Sequence, residues 1–186
     1  MTKAEIRQNI KNILGKINQS KLKEYSEQIC NKIINSQEYK KSTIILGYMA
    51  LFDEVDLSLL MKDAFEQNKT IYLPHVFPST NKMEFYKFKS DSKVITGEFG
   101  ITEPEQTEPF ILSSLDKNTK LLALIPGRAF TKTGERLGRG KGFYDIYFEK
   151  LAANKNIHMK GVCFPEQIVD FIPTTPNDIK MTSVVY

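Results

Sequence analysis

Residues Leu121 to Asp145 hold most of the groups in this chain that could do chemistry. An apolar run ends at Pro126, a basic stretch follows, Gly138, Gly140 and Gly142 alternate with larger residues, and Phe143-Tyr144 is closed by Asp145. In order, this reads as a buried strand, a mobile connection and a helix that opens within the glycines. Backbone N–H groups would then gather where an anion can be held. Between Pro126 and Gly142 stand Arg128, Lys132, Arg136, Arg139 and Lys141 against Glu135 alone, a net +4. The whole chain also carries a formal +4, so everything outside the segment balances and the basic excess is local. Charge focused in this way points to a phosphate pocket and away from a diffuse nucleic-acid surface. The competing explanation is a solvated basic loop.

Two named glycine motifs do not fit. A Walker loop needs Ser or Thr after its Gly-Lys to hold magnesium, and Gly140-Lys141 is followed by Gly142. The dinucleotide fingerprint places its third glycine one position beyond Gly142 and follows its strand after a short turn. What remains is the run from Arg136 to Asp145, in which small residues let the backbone approach a phosphate chain while Arg139 and Lys141 project between them.

Acids and further cations lie elsewhere in the sequence. Asp145 falls near the start of the helix behind the glycines, where the helix dipole alone would explain it. Asp178, in a loop braced by Pro173 and Pro176, is either an Asx turn or a ligand. If both reach the phosphates, two carboxylates plus phosphate oxygens suit magnesium. Glu54 is either an acid ahead of a helix or a hydrogen-bond acceptor for a nitrogen-rich ring. Thr2 and Glu5 form a capping box, and Lys3 and Arg7 fall on or beside the isoleucine stripe of the first helix. These two cations either snorkel to water or overhang the glycine loop.

The elements that must position these groups alternate in period. Ile6, Ile10, Ile13, Leu14 and Ile17 predict one helix, and Leu22, Tyr25, Ile29 and Ile33 a second after Asn18-Gln19-Ser20. Thr43 to Met49 reads as a strand, Leu57 to Asn68 as a helix capped by Asp56, and Thr70 to Leu73 as a short strand stopped by Pro74. Met83 to Phe88 alternates as a strand, Gly97 to Pro109 is turn-rich, and Lys120 to Ile125 is a central strand. Gly140 to Ala153 is the helix behind the glycines, Lys160 to Phe164 a strand, and Ser183 to Val185 a final edge. Phe52, Tyr72, Phe85 and Tyr86 are expected in the core and not as a stacking platform. His158 falls on a strand, and His75 carries no assignment. The pattern predicts an α/β fold, a mostly parallel sheet flanked by helices with its site at the carboxyl ends of the strands.

At 186 residues, 41% hydrophobic and 26% charged, the chain is expected to form one domain spanning residues 1–186. It has no apolar stretch approaching twenty residues, and it opens on an amphipathic helix, so no membrane association is expected. Cys30 and Cys163 read as small core residues, which favours a cytoplasmic protein, and two histidines are too few for a histidine-based zinc site.

The residues resemble the 5-formyltetrahydrofolate cyclo-ligase family from Lys3 to about Val184. The most specific part is Pro126-Gly127, Ala129-Phe130 and Gly134, then Arg136 through Asp145. Support comes from Lys3 and Arg7, Glu54-Val55-Asp56, Phe99-Gly100-Ile101 with Glu103-Pro104, Gln167-Ile168-Val169, Ile172-Pro173 and Asp178, all in the family's order. The resemblance implies a NagB/RpiA/CoA-transferase-like fold and ATP- and Mg2+-dependent closure of 5-formyltetrahydrofolate to 5,10-methenyltetrahydrofolate, with release of ADP and phosphate. It implies ATP contacts at Lys3, Arg7, Arg136, Leu137, Gly138, Arg139, Gly140, Lys141, Gly142, Phe143 and Tyr144. Folate contacts fall at Met49, Glu54, Arg139 and Phe143, magnesium at Asp145 and Asp178, and catalytic charge at Arg139 and Lys141. Phe143 stands where the family usually has tyrosine, and Arg128 and Thr131 replace commoner apolar and acidic residues. The expected partners are the two substrates, with no nucleic acid and no membrane, in a monomer or weak homodimer. A non-catalytic nucleotide- or RNA-binding module of the same fold is the alternative, and it would show salt-sensitive RNA binding without ATP hydrolysis.

Overall fold

The computed structural model describes residues 1–96, 102–104, 106–116, 118–151, 154 and 156–186. The expected turn-rich stretch is therefore covered only in part, and Phe99-Gly100-Ile101 and Ala153 lie outside the described residues. Three helices open the chain: α1 (Lys3–Leu14), α2 (Gln19–Ile34) and α3 (Gln37–Lys41). The capping box forms as expected, with Glu5 N donating to Thr2 Oγ1 at 3.3 Å and Thr2 N donating to Glu5 Oε2 at 2.6 Å. Ile6, Ile10 and Leu14 are buried, whereas Ile13, expected on the same stripe, is 43% exposed. Only the i, i+4 row of this helix is buried.

The central sheet has the order β10-β9-β6-β1-β2-β3 and is parallel except for β3. Its strands are β1 (Ile44–Leu46), β2 (Thr70–Phe77), β3 (Lys82–Phe88), β6 (Leu121–Pro126), β9 (Ile157–Val162) and β10 (Ser183–Val185). Between β3 and β6, β4 (Val94–Thr96) pairs antiparallel with β5 (Thr102–Pro104). All six residues of β6 are buried, because layers cover both faces. Leu122 and Leu124 join the layer made by α1, α2 and α4 (Ser58–Glu66), while Leu121, Ala123 and Ile125 join the opposite layer with Phe148 of α5 (Phe143–Glu149). The period-2 alternation of a strand thus fills two cores, and each such leucine contributes about 2 kcal/mol by leaving water.

Several boundaries differ from expectation for identifiable reasons. Strand β2 runs through Pro74 to Phe77 and does not stop there. Phe110 N donates to Phe85 O at 2.7 Å, so Phe85 directs its backbone groups away from β2, and its partner Pro74 occupies a non-hydrogen-bonded position. The missing N–H of Pro74 faces the side on which β1 has already ended, so nothing is lost. Asp56 does not cap α4 from the expected position. Its Oδ1 accepts from Ser58 N at 2.9 Å, an Asx turn one step ahead of the helix. Strand β9 begins at Ile157, three residues before the expected Lys160, and includes His158 as expected. The helix behind the glycines is only Phe143–Glu149.

The largest departure concerns the expected mobile connection after Pro126, which is a packed hairpin of β7 (Ala129–Phe130) and β8 (Arg136–Leu137). Phe130, Thr131, Arg136 and Leu137 are each at most 4% exposed. Its turn closes on Glu135, which accepts from Lys180 Nζ at 2.8 Å, from Thr133 Oγ1 at 2.5 Å and from Thr131 Oγ1. The Lys180 bond most, then the two threonine hydroxyls, pull the Glu135 carboxyl down to about 2. A carboxyl lowered on folding contributes stability above its unfolded pKa and loses it as pH falls through the folded value. Glu135→Gln is therefore expected to melt below the wild type at neutral pH, with the gap closing between about pH 4.5 and pH 2. Thermal melts of both proteins across that window check this, and a pH-independent gap would refute it.

Candidate active site

The carboxyl ends of β1 and β6 open onto a cavity of about 330 Å3. Tyr48, Met49, Leu51 and Glu54 form one wall after β1, and Pro126 with Gly127 the floor after β6. Gly138, Arg139, Lys141, Gly142, Phe143, Tyr144 and Asp145 close the other side. A cavity thus lies at the strand ends where the site was expected, and Met49, Glu54 and most of the glycine run line it. Gly140 and Gly142 hold φ values of 108° and 74°, a left-handed backbone that an L side chain would strain. Two such turns in three residues wrap the chain around the cavity mouth.

The first helix overhangs the glycine run. Arg7 Nε donates to Gly138 O at 2.8 Å, and its guanidinium carbon lies 3.7 Å from where a Cβ on Gly140 would stand. The two terminal nitrogens of Arg7 have no carboxylate partner among the described residues. Lys3 Nζ donates to both oxygens of Asp178 at 2.8 and 2.7 Å. Asp178 also accepts from Thr175 N at 2.6 Å and from Thr175 Oγ1 at 3.0 Å, while its own N–H donates to Thr175 O, so it closes a turn back onto Thr175 and does not form the Asx turn that the sequence offered. Burial alone would raise its pKa, but the Lys3 and Thr175 bonds outweigh that and lower it.

Arg136 is almost entirely enclosed, with 3% of its side chain exposed. It donates to both oxygens of Asp145 at 3.1 and 3.0 Å and to Pro126 O at 3.1 Å, while its guanidinium sits 5.4 Å from the centre of the Tyr144 ring. Ile179 N reaches Asp145 Oδ1 at 3.3 Å, so Asp145 touches the backbone next to Asp178 and the two acids share one corner. Burial pushes the Tyr144 hydroxyl up, well away from titration at neutral pH. Leu137 is 1% exposed and belongs to the core, which leaves only its backbone for any ligand.

Arg139 reaches across the cavity to the 53–54 segment. Its Nε and Nη2 donate to Glu54 Oε1 at 3.0 and 2.9 Å, and Nη2 also donates to Asp53 Oδ1 at 2.5 Å. The other oxygen of Asp53 accepts from Arg128. Burial opposes ionisation of Asp53, yet Arg139 and Arg128 win and its pKa is lowered. Glu54 further accepts from Leu51 N at 3.1 Å.

Sequence reasoning gave no role to Asp53, Tyr48 or Gln167, the last of which it met only within a motif. Gln167 is 1% exposed and ties the floor, donating to Gly127 O at 2.8 Å and Arg128 O at 3.1 Å. Asp53 stands next to Glu54 in sequence, but nothing in its spacing marks it as the residue facing two arginines. Phe52, expected in the core, is 76% exposed beside the cavity wall, while Tyr72 and Phe85 are buried.

No helix among the described residues is long and apolar enough to cross a membrane. A family model described as the 5-formyltetrahydrofolate cyclo-ligase family matches residues 1–186. A mouse protein named 5-formyltetrahydrofolate cyclo-ligase is 29% identical over 167 residues, spanning 85% of this chain and 80% of its own. A Caenorhabditis elegans protein named probable 5-formyltetrahydrofolate cyclo-ligase is 28% identical over 191 residues, 99% of this chain and 92% of its own. The NMR structure of Aquifex aeolicus 5,10-methenyltetrahydrofolate synthetase superposes with a TM-score of 0.79 at 27% identity, covering 100% of this chain and 89% of that one. With a match that runs from the first residue to the last, this chain belongs to the 5-formyltetrahydrofolate cyclo-ligase family.

Proposed function

We propose that residues 1–186 act as one cyclo-ligase domain that uses ATP to close 5-formyltetrahydrofolate to 5,10-methenyltetrahydrofolate, releasing ADP and phosphate. The observation that carries this reading is Arg139, which lies between the glycine run and Glu54 on the wall of a single strand-end cavity. A phosphate-directed cation and a pterin-directed acid meet there.

The chemistry explains why this arrangement suffices. A formamide carbon is a poor electrophile and its oxygen a poor leaving group, so the formyl oxygen attacks the γ-phosphorus and ADP leaves. Nitrogen 10 of the folate then adds to the activated carbon and gives up its proton to water, and phosphate departs to leave the cyclic amidinium. The protein supplies position and charge, with no covalent nucleophile. Arg139 and Lys141 neutralise the oxygens of the transferred group. Arg7, whose guanidinium tips are unpaired among the described residues, takes the phosphate chain with the amides of Gly138, Gly140 and Gly142, and Lys3 extends the same positive edge. Arg136 sits behind this layer and holds Asp145 and Tyr144 in place. Met49 and Phe143 grip the flat ring, and Glu54 accepts from its N–H groups.

Asp145 and Asp178 are the carboxylates that would hold a magnesium ion together with phosphate oxygens, and the ion would share them with Arg136, which takes both oxygens of Asp145, and Lys3, which takes both of Asp178. Bound there, magnesium would supply charge neutralisation at the phosphates. Two buried free thiols, Cys30 and Cys163, accord with a reducing cytoplasmic setting. The chain is read as a monomer or weak homodimer without nucleic acid as a partner, since the arginines of the basic segment pair with Asp53, Asp145 and Glu54 and do not form an open cationic face.

The test is growth of the absorbance of the conjugated methenyl product when the protein meets 5-formyltetrahydrofolate, ATP and magnesium. Omitting ATP must abolish it. Absence of product from the complete mixture would overturn the assignment.

A further inference from the structure

We propose that Asp53 is a positioning residue that sets the fork of Arg139 from behind the cavity wall, an inference that rests on the function proposed above. Its side chain is only 5% exposed, and it lines neither the 330 Å3 cavity nor the adjoining groove of about 810 Å3. Glu54 lines both. The two neighbouring acids therefore meet Arg139 from different sides, Glu54 within reach of a substrate and Asp53 out of reach.

The two oxygens of Asp53 are divided between cations. Oδ1 accepts from Arg139 Nη2 at 2.5 Å and Oδ2 accepts from Arg128. Arg128 precedes β7, Arg139 follows β8, and Asp53 belongs to the segment after β1, so one carboxylate ties both ends of the hairpin to the opposite wall. Arg128 is 15% exposed and Arg139 is 34% exposed. The enclosed end of the network is anchored, and the cavity end carries the working guanidinium.

The division of labour follows from what happens when a substrate arrives. A ring N–H that claims Glu54 removes one of the two acids on Arg139. Asp53 is then the remaining carboxylate among those that hold Arg139 here, and Arg139 Nη1, which has no partner among the described residues, stays directed by the Nη2 bond. A guanidinium held in one place before reaction avoids reorganisation during it, and small misplacement at such a centre costs up to about a hundredfold in rate. Without Asp53 the fork has Glu54 alone, the partner that the substrate competes for.

The experiment is a double-mutant cycle on the full chain, with Asp53→Asn and Asp53→Glu each made in the wild-type and Arg139→Ala backgrounds. The Asn change removes the charge. The Glu change keeps it but lengthens the side chain by one methylene, and serves if the Asn protein does not fold. In the wild-type background either folded variant is expected to lower kcat by roughly ten- to a hundredfold, with a smaller effect on the KM for folate. In the Arg139→Ala background the same change should cost less than about twofold, because the residue it acts through is gone. An equal loss in both backgrounds, or no loss in kcat, overturns the proposal.

A second measurement does not need turnover. The side-chain 15N signals of Arg139 report rotation of its guanidinium, which should be slow in the wild type and faster in Asp53→Asn. Fast rotation in the wild type, or no change on substitution, also overturns the proposal. If the wild type makes no methenyl product while this NMR difference appears, the functional reading fails and the positioning contact stands.

Discussion

Arg139→Ala is expected to lower turnover by about a hundred- to a thousandfold, the range typical of losing one donor aimed at developing transition-state charge. The residue is 34% exposed on the cavity side, so its loss leaves no hole in either core. The change opens Glu54, which loses its cation, to water, and the melting temperature should fall by less than it does for Asp145→Ala. Asp53 keeps Arg128 as a partner after the change, and Glu54 keeps Leu51 N. The reduction should therefore appear in kcat rather than in the amount of folded protein. Arg139→Lys is not a conservative control, because one ammonium cannot copy a fork whose Nε and Nη2 serve two carboxylates. It should recover at most a small part of the loss. Product formation followed by absorbance, with unfolding measured on the same preparations, separates these effects. Near-normal turnover of the alanine protein would remove Arg139 from the mechanism.

What the sequence revealed, and what it withheld, follows from the range of the forces involved. The β6 run was legible because an uninterrupted apolar segment has few ways to be satisfied other than between two layers. The position of Lys3 and Arg7 on the flank of a buried stripe allowed either snorkelling or delivery to the glycine loop. Contacts with Asp178 and Gly138, 175 and 131 residues away, decide for delivery. Local pattern cannot distinguish the two, since both place a cation at the same edge of the helix. Pro74 misled because a proline ends a strand only when its N–H is needed, and that depends on which neighbour has already stopped.

The hairpin after Pro126 was hidden for a related reason. Polar and basic residues from Thr131 to Arg136 look like a solvated connection, yet all but the exposed Lys132 find a partner across the turn or in the core. Thr131 and Glu135 bind one another, Lys180 comes from a distant loop, and Arg136 passes inward to Asp145. The charge count located the cationic segment correctly but could not show that three of its arginines meet carboxylates. In this structure Arg128, Arg136 and Arg139 are paired with Asp53, Asp145 and Glu54, so the local +4 seen in sequence is largely compensated in space. Arg7 keeps its guanidinium tips unpaired among the described residues, which is the reason the proposed function assigns it to the phosphate chain.

Compensation of this kind is asymmetric at the Arg136–Asp145 pair, and the asymmetry predicts its mutants. Arg136 is 3% exposed and Asp145 is 22% exposed, so a stranded carboxylate can rehydrate where a stranded guanidinium cannot. Asp145→Ala leaves an unpaired buried cation, expected to cost about 3 to 5 kcal/mol, or roughly 6 to 20 °C in melting temperature for a chain of this size. Arg136→Met fills much of the same space with an apolar stem and leaves only the better-hydrated acid, so it should cost distinctly less, about 1 to 3 kcal/mol. Gly138 makes the geometry possible, because a Cβ there would stand 3.0 Å from Arg136 Nη1. Melts in magnesium-free buffer keep any metal at Asp145 out of the comparison. The double variant should resemble Arg136→Met alone, since once the cation is gone its partner has little left to stabilise. If Arg136→Met proves the more damaging single change, the burial of the arginine does not govern the pair, and Arg136 contributes more through Pro126 O and the Tyr144 ring than through Asp145.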